Sequence, residues 1–277
     1  MVRIATWNVN SMKARMPRLL QWLDDRRPDV LALQETKATE EQWPVDELAA
    51  RGYESAHLGN GRWNGVAILS QVGLTDVTRN LDDQPDFEGT VEPRAIGATC
   101  GGVRLWSVYV PNGRTVDSPH YAYKLEFLAA VRRQVARERE HLGAAAPYLL
   151  VGDWNVAPRD HDVWDIAAFA GATHVTTRER EALTGVGHAS GADDALVDLL
   201  PRASADPDDD RPPYTFWEMR MLGFQKGRGM RIDLALADAA VQRGVTDVWV
   251  DRDARKGQGP SDHAPLVVDA DLPGRTG

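Results

Sequence analysis

A chain with one cysteine forms no internal disulfide and no cysteine-based metal cluster; here that residue is Cys100. Long apolar runs are missing too, and none approaches the roughly 18 residues that span a membrane. The opening MVRIATWNVN lacks a charged head followed by an apolar stretch, so it reads as a strand and not as a secretory signal. These absences lead to the expectation of a cytoplasmic protein without a membrane partner. There is no Walker loop, no HExxH and no Cys/His zinc spacing. No Gly/Ser linker, low-complexity tract or internal repeat divides the sequence. Residues 1–277 are therefore expected to form a single domain, and a monomer, since no interface is suggested.

An excess of positive charge is also lacking. The net charge is −9 and the isoelectric point about 5.3. Taken over the whole chain, that balance argues against nucleic acid, which normally leaves a basic footprint. The balance is local, however. Between residues 211 and 231, Arg211, Arg220, Lys226, Arg228 and Arg231 stand against Glu218 alone, interleaved with aromatics. DPDDD at 206–210 reads as an acidic surface loop.

What is present is an ordinary globular composition, 43% hydrophobic and 26% charged, arranged as recurring strand-like runs. RIATWNV, DVLALQET, GVAILS, AIGATC, VRLWSVYV, YLLVGDWN, IDLALA, TDVWV and PLVVDA are such runs. Helical spacing appears at 17–27 and 123–140, with EALTG and ALVDLL as shorter candidates. Mixed strands and helices predict an α/β or α+β domain. The stretches near 82–93, 201–213 and 223–229 read as surface loops.

Several buried-looking strands run into polar residues, and active sites of sheet proteins gather where strand ends converge. RIATW runs into Asn8, DVLAL into Glu35, WSVYV into Asn112, and YLLVG into Asp153 and Asn155. IDLALA carries Asp233 at its start, and PLVV follows Asp262 and His263. Each has an ordinary reading. Asn8, Asp153 and Asn155 are turn formers. Glu35 is an exposed strand end, Asp233 pairs with Arg228 or Arg231, and His263 is a satisfied packing residue. Their co-occurrence favours chemistry instead. Carboxylate and amide oxygens from Glu35, Asn8 and Asp262 suit Mg²⁺. A histidine fixed by a carboxylate suits phosphate or proton handling. An aspartate flanked by an asparagine suits an attacking water. Asp262 and His263 are adjacent on extended chain, so they face opposite ways and need separate partners.

In this order the motifs resemble the exonuclease III family of abasic-site endonucleases, within the endonuclease/exonuclease/phosphatase superfamily. The matching stretches are TWNVNS, PDVLALQETK, WNGVAIL, YVPNGR, GDWNVAP, YTFW, GMRIDLAL and PSDHAPL, spread over nearly the whole chain. GDxN and SDHxP are common to the superfamily. LQETK, YVPNG and the spacing from YTFW to RID are more specific to its DNA-repair branch.

The resemblance implies a four-layer α/β sandwich of two packed mixed sheets flanked by helices. It implies a Mg²⁺-dependent hydrolase, with Mn²⁺ as a substitute, cutting 5′ to abasic sites in double-stranded DNA. Exonuclease action from 3′ to 5′ and phosphatase action at 3′-blocked ends are implied as well. Carried over, Glu35 is the main metal ligand, with Asn8 and Asp262 near it. Asp153 activates water, Asn155 holds water or phosphate, and Asn112 holds phosphate. Tyr109 lies near the scissile phosphate, as a hydrogen-bond donor or assisting the leaving group. His263, oriented by Asp233, stabilises the transition state. Arg114 and Arg220 flank the DNA, or else make surface salt bridges. Lys37 supports the metal site through a carboxylate, or is merely exposed. Phe216, Trp217, Met230 and Ile232 form an apolar pocket for a flipped abasic sugar, or else pack the core. Two rival readings are another phosphodiesterase of the superfamily (nonspecific, inositol-phosphate or sphingomyelin type) and a catalytically silent DNA-binding fold.

Overall fold

The computed structural model describes residues 1–200 and 213–272. Arg211, the DPDDD run and most of the 201–213 loop lie outside the described residues. In chain order the strands are β1 (Val2–Asn8), β2 (Val30–Gln34), β3 (Glu54–Leu58), β4 (Val66–Ser70), β5 (Thr75–Arg79), β6 (Ala95–Cys100) and β7 (Val103–Tyr109). They continue with β8 (Tyr148–Asp153), β9 (Val197–Asp198), β10 (Phe216–Trp217), β11 (Gly229–Met230), β12 (Asp233–Ala237), β13 (Val245–Val250) and β14 (Leu266–Ala270). The α-helices are α1 (Met12–Arg26), α2 (Val45–Ala49), α3 (Pro119–Leu142), α4 (Thr177–Gly187) and α5 (Ala239–Gly244).

Two six-stranded sheets run in the orders β13-β14-β1-β2-β4-β3 and β5-β6-β7-β8-β12-β9. Both are mixed: β1–β2 and β7–β8 are parallel, and their other pairings are antiparallel. The alternation of side chains across a strand explains the layering. Ile4 of β1 and Leu149 and Val151 of β8 point between the sheets, with Val30, Ile68, Leu105 and Val268. Their neighbours point outward. Ala5 and Trp7 of β1 meet Leu19, Trp22 and Leu23 of α1. Leu150 of β8 and Trp106 meet Phe127 and Val131 of α3 and Leu183 of α4. Each fully buried Leu, Ile, Val or Phe among them stabilises the fold by about 1.5–3 kcal/mol. The result is the expected four-layer α/β sandwich.

Local signals fix the helix starts. Ser118 caps α3, accepting from the Tyr121 N–H, with Pro119 at the first helical position. Thr176 and Glu179 form a capping box at α4. The apolar spacing places the start of α1 at residue 17, yet the helix begins at Met12 and carries Pro17 inside it. ALVDLL is not a helix. Its centre is β9, an edge strand paired to β12 through Leu236 and Asp198. Among the described residues no helix is long and apolar enough to cross a membrane.

Candidate active site

Three neighbouring strands of the second sheet place Tyr109, Asp153 and Asp233 in register, Tyr109 opposite Asp153 and Asp153 opposite Asp233. Directly paired residues point to one face, so the three side chains form a row at the rim. The first sheet supplies the facing groups. Asn8 ends β1, Glu35 follows β2, and His263 lies just before β14, bridged to Phe216.

The chain turns sharply to aim these groups. Asn10, Ser11, Glu35, Lys37, Arg114 and Asn155 all have positive φ, between 46° and 94°. Such backbone is costly for residues with a Cβ and persists where the surroundings hold it. Here the turns interlock: the Ser11 N–H donates to the Glu35 carbonyl at 2.7 Å and the Met12 N–H to the Thr36 carbonyl at 2.8 Å. Gly65 lets Thr36 in, since a Cβ there would meet Thr36 Oγ1 at 2.1 Å.

Asn8 braces two carboxylates. Its Nδ2 donates to Glu35 Oε1 at 2.8 Å and to Asp153 Oδ2 at 2.9 Å, while its Oδ1 accepts from the Asn10 N–H. Its oxygen thus faces the backbone in this arrangement. Lys37 Nζ lies 2.9 Å from Glu35 Oε2 and donates to Asn10 Oδ1 at 2.7 Å, a contact with a carboxylate and not a merely exposed side chain. Oxygens of Glu35 and Asp153 and a ring nitrogen of His263 lie within 4.8 Å of one another. Asp262 sits a step outside this group, held by Asn10 Nδ2 at 2.9 Å and beside Ser261 Oγ.

His263 Nδ1 faces Asp233 Oδ2 at 2.8 Å, and its Nε2 lies 3.7 Å from Asp153 Oδ2. The expected separation holds: Asp262 and His263 have different partners. Burial works against charge on His263. Asp233 and Asp153 outweigh it and keep the imidazole protonated, its pKa pushed up to about 10. Asp153 is pushed up to about 7, chiefly by burial, with Asp233 and Glu35 adding and His263 opposing. Burial and Glu35 hold the Tyr109 hydroxyl well above its ordinary range. Arg94 stacks on the Tyr109 ring at 4.7 Å and donates to the Tyr109 carbonyl.

The amide pair sits beside Asp153. The Asn155 N–H donates to Asp153 Oδ1 at 3.0 Å, and Asn155 Nδ2 donates to the Val110 carbonyl. Asn112 Nδ2 reaches Asn155 Oδ1 at 3.3 Å. His174 joins them, its Nε2 at 3.1 Å from Asn155 Oδ1 and 3.2 Å from Asn112 Nδ2. Burial pulls His174 down to about 3, so it is neutral. Beneath lies the buried Lys124, which donates to the Asn112 and Asn155 carbonyls and to Glu179. Neither His174 nor Lys124 stands out in sequence. One is a lone loop histidine, and the other is one lysine on a charged helix.

The apolar group divides. Phe216, Met230 and Ile232 gather with Ala157, Val163 and Phe169. Trp217 does not join them; it packs with Tyr214, Phe224 and Ala264. Neighbours on β10 face opposite sides, so Phe216 and Trp217 cannot share a pocket. Arg114 and Arg220 are exposed and outside the central cluster.

Known proteins share this fold. Exodeoxyribonuclease III of Haemophilus influenzae is 25% identical over 276 residues, 96% of this chain and 98% of that protein. A solved structure of the 3′ phosphatase NExo from Neisseria, bound to a product DNA hairpin, is 34% identical with a TM-score of 0.87 and covers 98% of this chain and 100% of that one. An AP endonuclease structure from Archaeoglobus fulgidus is 31% identical with a TM-score of 0.87, at 98% and 100% coverage. The endonuclease/exonuclease/phosphatase family model matches residues 5–263. The chain belongs to the endonuclease/exonuclease/phosphatase family.

Proposed function

We propose that the chain is a DNA-repair phosphodiester hydrolase that cuts 5′ to abasic sites in duplex DNA, with 3′→5′ exonuclease and 3′-phosphatase activity. The observation that carries this reading is the Tyr109–Asp153–Asp233 row, faced by Glu35 and His263, with an apolar cluster alongside. Its relatives, named for exodeoxyribonuclease, 3′ phosphatase and AP endonuclease action, support the same chemistry.

The donor set fits Mg²⁺, or Mn²⁺ in its place. Carboxylate oxygens dominate the cluster, and a hard cation takes oxygen ligands while keeping waters. Glu35 would hold the ion, with Asp153 beside it and Asp262 a step away. Bound there, the ion supplies positive charge against the phosphate.

The chain's own groups do the rest. Asp153 takes a proton from the attacking water, and the Asn155 N–H keeps its carboxylate aimed. His263, held cationic by Asp233, faces the charge that builds on the phosphoryl oxygens. Tyr109 stays protonated and donates a hydrogen bond. Asn112, which here meets Asn155 and His174, would give its Nδ2 donor to a phosphate oxygen. Phe216, Met230 and Ile232 receive the sugar of a flipped abasic nucleotide, which leaves the stack at low cost. On this reading the chain works as one domain, as a monomer, in the cytoplasm.

The test is incision of an end-labelled duplex carrying one abasic analogue, with Mg²⁺ and with EDTA. One metal-dependent cut on the 5′ side is expected, lost in Asp153→Asn. No cut at the lesion would turn the reading toward another phosphoester.

A further inference from the structure

Trp217, turned away from the sugar pocket, borders a second feature. On its side a cleft of about 600 Å³ is lined by Glu218, Leu222, Phe224, Arg252, Arg255 and Lys256. Arg252 and Arg255 stack on Phe224, with guanidinium carbons 4.7 and 4.9 Å from the ring centre. Arg255 is only 6% exposed. One of its Nη atoms donates to the Trp217 carbonyl at 3.3 Å, and its Nε has no partner. Among the described residues no carboxylate forms an ion pair with Arg252 or Arg255, while Lys256 pairs with Asp253 at 2.6 Å.

The charge behind the cleft has the same sign. Arg15 and Arg18 of α1 reach the Pro260 carbonyl and those of Ala254, Lys256 and Gln258, and both Nε atoms are unpartnered. Burial, with Arg15 and Arg18 against Asp262, pulls the Arg255 guanidinium below its ordinary value. A buried guanidinium that no carboxylate pairs directly is costly, and an anion entering the cleft offsets that cost. Guanidinium forks on an aromatic floor suit phosphate. The cleft also abuts the site: Pro260 lines it, and the Trp217 N–H donates to the Asp262 carbonyl at 3.0 Å.

We propose that this cleft holds a backbone phosphate of the DNA duplex away from the scissile bond, so that Arg252, Arg255 and Lys256 anchor the substrate. The inference rests on the DNA-hydrolase reading above. It supplies what the acidic net charge withholds, a local patch that grips a polyanion.

The test is fluorescence anisotropy of a labelled abasic-analogue duplex in EDTA across a salt series. The parent is compared with the Arg252→Gln/Lys256→Gln protein, whose changed side chains are the less buried ones, and equal thermal unfolding checks the fold. The double variant is expected to bind more weakly. Its slope of log affinity against log salt falls by roughly 0.9 for each phosphate that is no longer neutralised. In Mg²⁺ its KM rises severalfold and kcat stays. Duplexes shortened stepwise on either side of the lesion lose affinity for the parent at one step, and the double variant shows no such step. Equal affinity and equal slope in parent and variant overturn the cleft, whatever the cutting assay gives. Weaker binding by the variant with no cutting by the parent leaves the cleft standing and overturns the hydrolase reading. A parent that binds no duplex overturns both.

Discussion

His263 Nδ1 meets Asp233 Oδ2 at 2.8 Å, across 30 residues of sequence and from one sheet to the other. The contact joins the two layers at the rim and fixes which ring nitrogen faces Asp153. Asp233→Asn removes the charge and keeps the shape. The raised pKa of His263 then falls toward the ordinary value near 6.5. The imidazolium is therefore lost at lower pH, and the alkaline limb of the rate profile moves down. A loss of about 10²-fold or more in kcat is expected. Steady-state kinetics on both sides of neutrality read both effects. An unmoved alkaline limb would remove His263 from the charged role.

Asp153 is pushed up to about 7, so it is partly protonated near neutrality. Its anion is the active form, and kcat/KM should rise with pH through about 7 and then level. Added Mg²⁺ should shift this acid limb downward, because a nearby cation favours the carboxylate. EDTA should abolish cutting, and metal should restore it. Asp153→Asn should lose about 10²–10⁴-fold with a flat acid limb. A variant that kept the limb would place the titrating group elsewhere.

How far the sequence speaks depends on burial. β1, β2, β4, β8 and β14 are buried nearly end to end, so their apolar runs are plain. The strands β3 and β5 escape notice because Glu54–Leu58 and Thr75–Arg79 are half exposed and mixed in character. ALVDLL has helical spacing, yet pairing with β12 decides its state. Site residues at strand ends are legible because an apolar run points to them. His174, Asn10 and Arg94 come from loops gathered by tertiary structure, and no local pattern marks them. Trp217 falls outside the expected pocket because the parity of a two-residue strand decides its face.

Lys124 and Glu179 are both fully buried and paired, beneath the loops that carry Asn112 and Asn155. Burial lowers the Lys124 pKa, whereas Lys124 and its hydrogen bonds hold Glu179 low in spite of burial. Removing one partner strands the other. Lys124→Met should therefore cost about 3–5 kcal/mol in urea unfolding. Lys124→Met with Glu179→Leu should recover much of that stability. Activity should stay low in the double variant, since the Asn112 and Asn155 carbonyls then lose their Lys124 donor. Recovery of both would make the pair purely structural.

Met230 tests the pocket against ordinary packing. It is buried beside Phe216, Ile232 and Val163, so either role costs stability on truncation. Met230→Ala as a core change should cost about 2–5 kcal/mol and leave substrate choice alone. As a pocket wall, Met230 also excludes a nucleotide that keeps its base. Its truncation should then raise cutting of intact duplex relative to abasic duplex, by roughly tenfold, the scale on which apolar pockets discriminate. The ratio of kcat/KM on the two duplexes separates the roles. An unchanged ratio in a folded, destabilised protein would return Met230, and with it the pocket, to the core.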